Sequence, residues 1–483
     1  MCSLPVPELK PSKERATLFD GTKSWLGASL LGTRALACWL ALLSVACGSV
    51  DPSSDFQETS ALVAARSGLE LVPPVPSSPT GKPQDARIAL KQELLQGGLT
   101  LDEALRLALA CNAGLRASLF GIAVSKADLV QAGLAPNPSL SLSGYWARGS
   151  LYQLGGSFMQ PLLGLLLIPA KKRAAAGRLS VAKLGVAQGA VSLLADVRAA
   201  FFEALSRTHA LALEEESTTQ ARHLVELVER RFKAGLTTPS GLKLAQAELL
   251  VARRGLLSAR LMRRLAFARL RGLLGLARDS SPLTLSGKLP LPKHLPPDAA
   301  LRRLALRSRL ELRAKAAAIE AAAADLSQTK LGVLPKLSLG LTHQRDEAGV
   351  NAQGPSLSLT LPVWDQNRAQ VAKSGYRLSR LRAEQEALRD RVATEVLSGT
   401  LAVRGRGKLL QLLQEVSLPF QEELLRAARR SFQSGRGGVP LLTRAQRSLL
   451  DVRRAYAGAL AAYAQALVQL QRALAGAPEE ASK

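Results

Sequence analysis

Residues 230–250 of this chain read RRFKAGLTTPSGLKLAQAELL, and residues 430–450 read RSFQSGRGGVPLLTRAQRSLL. The second stretch repeats the first at a constant separation of 200 residues. The repeated residues include the pairs Arg230/Arg430, Phe232/Phe432, Gly235/Gly435, Ala245/Ala445, Gln246/Gln446, Leu249/Leu449 and Leu250/Leu450. A period this long indicates a duplicated half-molecule rather than a solenoid unit. We therefore expect two copies of one architecture.

The duplication extends beyond these two turns. Pro138, followed by Ser-Leu-Ser-Leu-Ser, corresponds to Pro335, followed by Lys-Leu-Ser-Leu. Leu-Asp-Glu-Ala-Leu at 101–105 corresponds to Pro-Asp-Ala-Ala-Leu at 297–301. The predicted divisions of the chain are a first repeat over 96–290, a second repeat over 291–476 and a short tail over 477–483.

The composition of the 483 residues favours long helices. Aromatic residues are only 4% of the chain, and Ala, Leu, Arg, Glu and Gln dominate long stretches. The formal charge of +26 would suit nucleic acid or an anionic membrane surface. The basic residues are spread around helical faces, however, and no basic run has aromatic residues between its charges. We therefore interpret them as solvated helix faces and expect no nucleic-acid partner.

Neither a metal site nor a catalytic site is predicted. The cysteines and histidines show no metal-ligand spacing: Cys2, Cys38, Cys47, Cys111, His209, His223, His294 and His343. There is no glycine-rich phosphate loop and no Ser-His-Asp arrangement. Asp102, Glu103 and Asp298 lie at predicted helix starts, where a carboxylate favours the helix dipole without any catalytic role. We expect no metal, no cofactor and no enzymatic activity.

The amino-terminal segment has the features of a secretion signal. The apolar run ALACWLALLSVA at 35–46 follows Lys23 and Arg34 and has the length of a signal-peptide core, so 1–46 is predicted to be removed. Cys47 comes directly after it, in a sequence that resembles a bacterial lipobox, and is the predicted lipidation site. Plain secretion without lipid is the alternative. Residues 47–95, which are rich in Pro, Ser and Gly, are predicted to form a flexible linker.

A helix and then two alternating runs follow in each repeat. From Leu101 to about Gly133 apolar residues recur every three or four positions, until Pro136 and Pro138 end the pattern. The period then changes to two, which predicts β-hairpins at 138–161 and 335–363, the second with a polar loop at 344–353. Runs of about 9–11 residues suit tilted membrane strands. Their predicted apolar, membrane-facing residues are Leu140, Leu142, Trp146, Tyr152, Leu154, Phe158, Leu337, Leu339, Leu341, Leu357, Leu359 and Leu361.

Each hairpin is followed by a very long helical stretch, at 171–233 and 367–433. At 1.5 Å per residue each would be about 90–100 Å long, which favours side-by-side packing as coiled coils. A glycine-bearing turn and a return helix, to about Leu276 and Ala475, complete each repeat. Four strands cannot close a sheet in lipid, because the open edges leave backbone groups unpaired. Three chains would supply twelve strands, enough for a closed barrel.

This arrangement resembles the TolC-type outer-membrane efflux protein family over about Leu99–Ala475. The resemblance rests on the two Arg-x-Phe-x-x-Gly turns followed by Ala-Gln, on PNPSLSL at 136–142 and on LPVWD at 361–365. It implies a mainly α fold with membrane β structure: a homotrimer with an α-helical coiled-coil barrel and a 12-stranded β-barrel. The implied function is the exit duct of a tripartite efflux or type I secretion system in the cell outer membrane. The implied partners are a periplasmic adaptor, an inner-membrane transporter of the RND or ABC type and outer-membrane lipid.

By the same resemblance, the two glycine turns mark the periplasmic tip where the adaptor docks. The residues predicted to contribute are Gly235, Leu236, Thr237, Gly435, Arg436 and Gly437. The alternative is that the glycines only supply the left-handed backbone of a helix C-cap. Many family members place acidic, cation-binding residues near this end, whereas 234–240 and 434–440 contain no carboxylate. A basic gate that favours anionic cargo is therefore expected if Arg436 points into the lumen, and a solvent-facing Arg436 is the alternative.

Two further interpretations concern cargo and function. The lipobox and PLLGLLLIPAKKRAAA at 161–176 are similar to the family branch that serves heavy-metal efflux. A periplasmic coiled-coil scaffold without a pore is the alternative function, since it explains the helices and the duplication. It does not explain four period-two runs at matching places in both repeats, each hairpin being flanked by proline.

Overall fold

In the computed structural model, the residues described are 50–73, 97–147, 150–279, 282–346 and 348–474. The predictions for the signal segment 1–46, for Cys47 and for the tail 477–483 lie outside them. The chain is mostly helical, with four antiparallel strands, and the two halves have the same order of elements.

The first half contains two helices, a hairpin and a long helical hairpin. Its elements, preceded by α1 (Ser53–Ser67), are α2 (Leu101–Cys111), α3 (Ala113–Ala132), β1 (Ser139–Ala147), β2 (Ser150–Pro161), α4 (Leu162–Leu166), α5 (Ile168–Lys233) and α6 (Pro239–Leu273). The second half follows the same plan. Its elements are α7 (Asp298–Ser308), α8 (Leu310–Leu331), β3 (Lys336–Arg345), β4 (Asn351–Thr360), α9 (Arg368–Leu412), a π-helical segment (Leu413–Ser417), α10 (Leu418–Gln433) and α11 (Val439–Ala473).

The first helical stretch is broken, contrary to the prediction of one helix from Leu101 to about Gly133. Asn112 has an extended backbone and separates α2 from α3. Its side-chain oxygen accepts a hydrogen bond from the Leu115 amide at 3.0 Å and so caps α3. Arg309 has the same extended backbone and separates α7 from α8, but its side chain does not cap α8. Apolar periodicity continues through both breaks, so it could not reveal them.

The four strands form one sheet in the order β1-β2-β3-β4. The two hairpins therefore pair with each other through β2 and β3, although 174 residues separate Pro161 from Lys336. The predicted polar loop at 344–353 is too long. Arg345 pairs with Asn351, so the loop contracts to Asp346–Val350 and its polar flanks belong to the strands. Ladder hydrogen bonds depend on backbone groups, which is why polar side chains do not end the strands.

The long helix of the second repeat differs from that of the first at one place. Helix α5 is continuous over 66 residues, whereas the π-helical segment separates α9 from α10. Pro419 follows this segment and has no N–H to donate, which a regular helical turn would require. A π-helical segment adds one residue to the helix at this point.

Helix α5 is the centre of the largest apolar cluster. Val197 and Phe201 are almost completely buried, and α2, α3, α6 and α8 all pack against this helix. Its most apolar window is long enough to cross a membrane, but 61% of that window is buried inside the protein. We therefore assign it to core packing.

The predicted flexible linker is wrong for part of its length. Residues 53–67 form α1, whose Val63 has no exposed surface. Asp55 accepts a hydrogen bond from Lys183 at 3.2 Å and lies 2.9 Å from the Lys126 ammonium. Arg66 donates to the Ser308 carbonyl of the second repeat at 3.1 Å. These long-range contacts order a segment whose composition alone favours a linker. Residues 74–96 lie outside the described residues.

Candidate functional site

One face of the sheet is apolar. The strand register places Leu140, Phe158, Leu341 and Pro355 side by side across the four strands. A second row contains Gln160, Leu339 and Leu357, and Leu337 pairs with Leu359. Leu140, Leu339, Leu341, Leu357 and Leu359 are exposed large apolar side chains. The sheet of one chain thus has a leucine-rich, exposed face.

The opposite face is small and polar. Ser141, Ser157, Thr342 and Gly354 form one row across the sheet. The adjacent row consists of Ser143, Gly155, Gln344 and Ala352. A strand that lies between lipid and a water-filled lumen needs one apolar face and one polar face.

Two of the predicted strand residues, Trp146 and Leu361, differ from the simple alternation, and Tyr152 stays a prediction. The register shifts between Tyr145 and Trp146, so Trp146 pairs with Leu151. Tyr152 lies in β2, and its side chain is outside the described part of the structure. Leu361 is exposed but follows the last residue of β4, Thr360. Leu142 and Leu154 alternate as predicted.

The two glycine turns at the far ends of the long helices have the same geometry. Gly235 has φ +72° and Gly435 has φ +75°, the left-handed region. Leu236 donates its amide to Arg231 O at 2.8 Å, and Arg436 donates to Ser431 O at 3.0 Å. Each glycine donates to the carbonyl of the preceding phenylalanine. Both turns are therefore Schellman caps, and this explains why glycine occurs in both copies.

The other predicted tip residues lie on the surface of these turns. Leu236 is 74% exposed and Arg436 is exposed, whereas Thr237 and Gly437 are half-buried. Gly437 donates its amide to Ser431 O at 2.9 Å, and a Cβ there would lie 2.7 Å from the Ser431 hydroxyl. Their role in docking stays a prediction.

The two tips are joined by a residue that sequence reasoning missed. The Arg231 guanidinium lies 3.9 Å from the centre of the Phe432 ring and donates to the Phe432 carbonyl at 3.2 Å. Phe432 is buried, whereas its counterpart Phe232 is exposed. The second repeat has Ser431 at the position that corresponds to Arg231. This difference between the repeats is the sequence signal that could have pointed to the contact.

Ion pairs also join the repeats further along the helices. Arg454 of α11 binds both carboxylate oxygens of Glu214 in α5, each at 2.7 Å. Glu214 is largely buried, and a Cβ at Gly255 would lie only 2.6 Å from its Oε2. Bonding to Glu214 raises the pKa of Arg454, despite the opposing effect of burial. Arg447 forms a second ion pair of this kind, because two of its guanidinium nitrogens contact the two carboxylate oxygens of Glu248 in α6.

In the described ranges, no group of three or more His, Cys, Asp or Glu side chains could bind a metal ion. The candidate functional features described above are the two faces of the sheet and the helical tip.

Comparison with known proteins agrees with this architecture. The family model described as "Outer membrane efflux protein" matches residues 104–276 and again residues 301–476. The chain belongs to this family. The two matches fall in the two halves that the internal duplication defines.

Two known proteins are similar in sequence to this family member. It is 25% identical over 389 residues to the cobalt-zinc-cadmium resistance protein CzcC of Cupriavidus metallidurans, covering 78% of this chain and 90% of CzcC. It is 29% identical over 385 residues to the protein CyaE of Bordetella pertussis, covering 74% and 80%.

The fold is that of outer-membrane channels. The crystal structure of the CmeC outer membrane channel of Campylobacter jejuni superimposes with a TM-score of 0.67 at 15% identity, covering 78% of this chain and 85% of CmeC. The resemblance to the TolC-type efflux family is thereby confirmed. The efflux protein described here is an outer-membrane transport protein and not an enzyme.

Proposed function

We propose that this efflux protein is the exit duct of a tripartite efflux or type I secretion system, which conducts substrate passively across the outer membrane. The observation that supports it best is the two-faced sheet with free edges at β1 and β4. Its apolar face suits lipid and its polar face suits a water-filled lumen. In lipid the free edges need partners, because no water can satisfy their backbone groups.

A homotrimer would satisfy both edges. If β4 of each chain pairs with β1 of the next, three chains close a 12-stranded barrel. The long helices would then continue the tube as a coiled-coil barrel. Helix α5 alone, with 66 residues, is about 100 Å long. This length would extend the duct far into the periplasm.

The Schellman turns at Gly235 and Gly435 would form the periplasmic tip, which docks on a periplasmic adaptor. The adaptor would join the duct to an inner-membrane transporter of the RND or ABC type. Exposed Leu236 and Arg436 are the side chains best placed for this contact, with Thr237 and Gly437 beside them. Lipidation at Cys47 would anchor the chain to the outer membrane.

The cargo follows from the charge at the tip. With Arg436 exposed and no carboxylate in 234–240 or 434–440, a narrow tip would attract anions. The similarity to a cobalt-zinc-cadmium resistance protein suggests metal cations as the other candidate. A metal ion would then pass through as cargo.

Planar-bilayer conductance of the purified protein tests the duct and its charge preference together. Discrete channels with an anion-selective reversal potential under a salt gradient would support both. Cation selectivity would retain the duct and reject the basic gate. Arg436→Gln is the matched variant, and it should reduce the anion preference without closing the channel. A silent protein, in variants with opened tip turns as well, would favour the scaffold without a pore.

A further inference from the structure

The sheet joins the helices at one of its two ends. The hairpin turns, at 147–150 and 346–350, lie at one end, and the segments that connect strands to helices lie at the other. Strands β3 and β4 each have 10 residues. Ten residues of strand rise about 33 Å, which at a tilt of about 40° spans about 25 Å, the height of the apolar band of an outer-membrane barrel. The strand ends next to the helices therefore lie at the depth expected for the periplasmic headgroups.

Exposed apolar side chains extend from the sheet to this boundary. Leu165 and Leu166 of α4, which directly follows β2, are exposed. Val363 is exposed after the end of β4, and Trp364 beside it is 95% exposed. Indole rings are enriched where the hydrocarbon of a membrane meets its headgroups. These residues place the boundary just beyond the ends of β2 and β4.

Cations follow these apolar residues in both repeats. Lys171, Lys172 and Arg173 lie in the first two turns of α5, and Arg368 and Lys373 lie in the first two turns of α9. We call these five residues the boundary cations. Lys171 is half-buried, and the other four are exposed. Both long helices thus begin with exposed positive charge directly beside the sheet.

Carboxylates of the chain do not neutralise this charge. In the part of the chain that the structure describes, none of the boundary cations forms an ion pair. Asp365, which lies between β4 and α9, accepts a backbone hydrogen bond instead. Ion pairs begin further along the helices, where Arg178 binds Asp325 at 2.7 Å and Arg380 lies 3.3 Å from Glu384. The unpaired cations are therefore concentrated at the boundary.

Helix stability does not explain these cations. The amino-terminal end of a helix carries partial positive charge, so a cation there gains nothing from the helix dipole. The short helices α2 and α7 have acidic residues in their first turns, as the dipole favours. Lys172 has a second role, because its Cδ lies 3.9 Å from the place of a Cβ at Gly133, at the carboxyl-terminal end of α3. An anionic surface at this depth would stabilise Arg173, Arg368 and Lys373.

The other end of the sheet has a balanced sequence. The hairpin turns and their flanking residues contain Arg148 and Arg345 together with Asp346 and Glu347. At the boundary, 162–173 and 361–373 contain the five boundary cations and one carboxylate, that of Asp365. The excess of positive charge thus belongs to one end of the sheet, the end from which the helices leave.

We propose that the boundary cations bind the phosphate groups of anionic phospholipids, such as phosphatidylglycerol and cardiolipin, in the periplasmic leaflet of the outer membrane. Anionic headgroups attract Lys and Arg side chains that lie next to a membrane segment. The aliphatic stems of these side chains can lie along apolar surface while their charged ends reach the phosphates. The ligand is a lipid because the cations directly follow the exposed apolar residues of α4 and of the segment after β4. The proposal rests on the proposed position of the sheet in lipid.

Fluorescence quenching by brominated lipids tests this site with tryptophans that the chain already contains. Removal of the predicted signal segment, which holds Trp25 and Trp39, leaves Trp146 at the hairpin end and Trp364 at the boundary. The Trp146→Phe protein is reconstituted in bilayers of phosphatidylcholine and phosphatidylglycerol. Bromine on each lipid in turn then gives their relative binding constant at Trp364. We expect an about five-fold preference for phosphatidylglycerol, the effect of about one cation near each headgroup, and a smaller preference at high salt.

Charge variants in the same background identify the residues responsible. Arg173→Gln combined with Arg368→Gln and Lys373→Gln should reduce the preference to about one. Lys336→Gln is the matched control, because Lys336 is the first residue of β3 and pairs with the last residue of β4 at the same depth. The alternation of β3 places Lys336 on the polar face of the sheet, away from the proposed lipid, so this variant should retain the preference.

The outcomes separate the lipid site from the proposed duct. Equal quenching of Trp364 by both lipids, or a preference that survives the triple variant, would overturn the site and leave the duct intact. Quenching of Trp146 but not of Trp364 would do the same. Loss of the preference when inorganic phosphate replaces chloride at equal ionic strength would assign the cations to a soluble phosphate instead. No quenching of either tryptophan by either lipid would overturn the site and the proposed duct together.

Discussion

Asn112 and Arg309 make the same hydrogen bond in the two repeats with different chemical groups. Asn112 donates its side-chain amide to the Leu273 carbonyl at 2.9 Å, and Arg309 donates Nε to the Ala473 carbonyl at 3.1 Å. The two acceptors are 200 residues apart, at the last turns of the return helices α6 and α11. Each residue thereby ties the break in its short helices to the end of its long helical hairpin.

Arg309 should be the more costly of the two to remove. It is 5% exposed and also binds Glu395 at 2.5 Å and Glu311 at 3.4 Å. Arg309→Ala removes the charge-assisted hydrogen bonds to these half-exposed carboxylates and the donor to the Ala473 carbonyl, so we expect a loss of about 2–3 kcal/mol in the free energy of unfolding. Asn112→Ala should lose about 1–2 kcal/mol, the value of a cap. Denaturant unfolding of the purified variants measures both, and equal losses would contradict this assignment.

Acid should release helix α1. Burial would raise the pKa of Asp55, but hydrogen bonds from Lys126 and Lys183 outweigh it and lower the pKa below its usual value. The stabilisation by the carboxylate is therefore complete above the unfolded pKa and is lost as pH falls through the lower, folded pKa. We expect hydrogen exchange in 53–67 to accelerate below about pH 4.

Asp55→Asn should produce the same release at neutral pH, at a cost of about 3 kcal/mol. Glu58→Gln is the control, since Glu58 binds the same Lys183 at 2.6 Å but is largely exposed. Unchanged exchange in Asp55→Asn would show that apolar contacts alone hold the helix.

The two faces of β3 should respond differently to a charge. Leu341→Arg places a cation on the apolar face and should cost about 2–4 kcal/mol if that face meets lipid near the bilayer centre. Thr342→Arg, one residue along, points to the polar face and should be tolerated. The amount of heat-modifiable trimer in the outer membrane measures the difference. Similar amounts from both variants would argue against a membrane strand.

The glycine turns should tolerate alanine equally poorly. A Cβ at Gly235 or Gly435 meets no atom within 4 Å, so only the left-handed backbone opposes the substitution. We expect about 1–2 kcal/mol for each Gly→Ala variant and less for Gly→Asn, since asparagine tolerates this conformation better. Thermal unfolding of the variants checks the order, and a neutral Gly→Ala would contradict the Schellman cap.

Arg231 should restrain the second tip. Its contacts with the Phe432 ring and carbonyl together contribute about 1–2 kcal/mol. Arg231→Ala should therefore raise channel conductance in planar bilayers by letting the second hairpin move away from the first. Arg230→Ala is the matched control, because Arg230 donates within its own helix, to Glu226 O at 3.4 Å. Equal effects of both variants would point to lost charge instead.

How far the sequence could predict these features depends on how local each one is. Alternation of Leu and Ser identified β1 and β3, because the side-chain period of a strand follows from its backbone. The predicted loop between β3 and β4 was too long because hydrogen-bond pairing, unlike polarity, decides where a strand ends. The tip turns were predictable, but the Arg231–Phe432 contact was not, since it joins residues on separate hairpins.

The sequence by itself determined the duplication, the strand faces and the glycine turns of this efflux protein. Each depends on short-range backbone geometry: a period of two, or a left-handed residue that glycine adopts without steric cost. Only the tertiary structure decided that residues 53–67 fold as α1 and that Asn112 and Arg309 break their helices. Only it showed that α5 and α11 meet in a defined register. These features arise from contacts between residues that are far apart in the chain. The free energies of such contacts outweigh local conformational preferences, and the contacts produce no periodic pattern in the sequence.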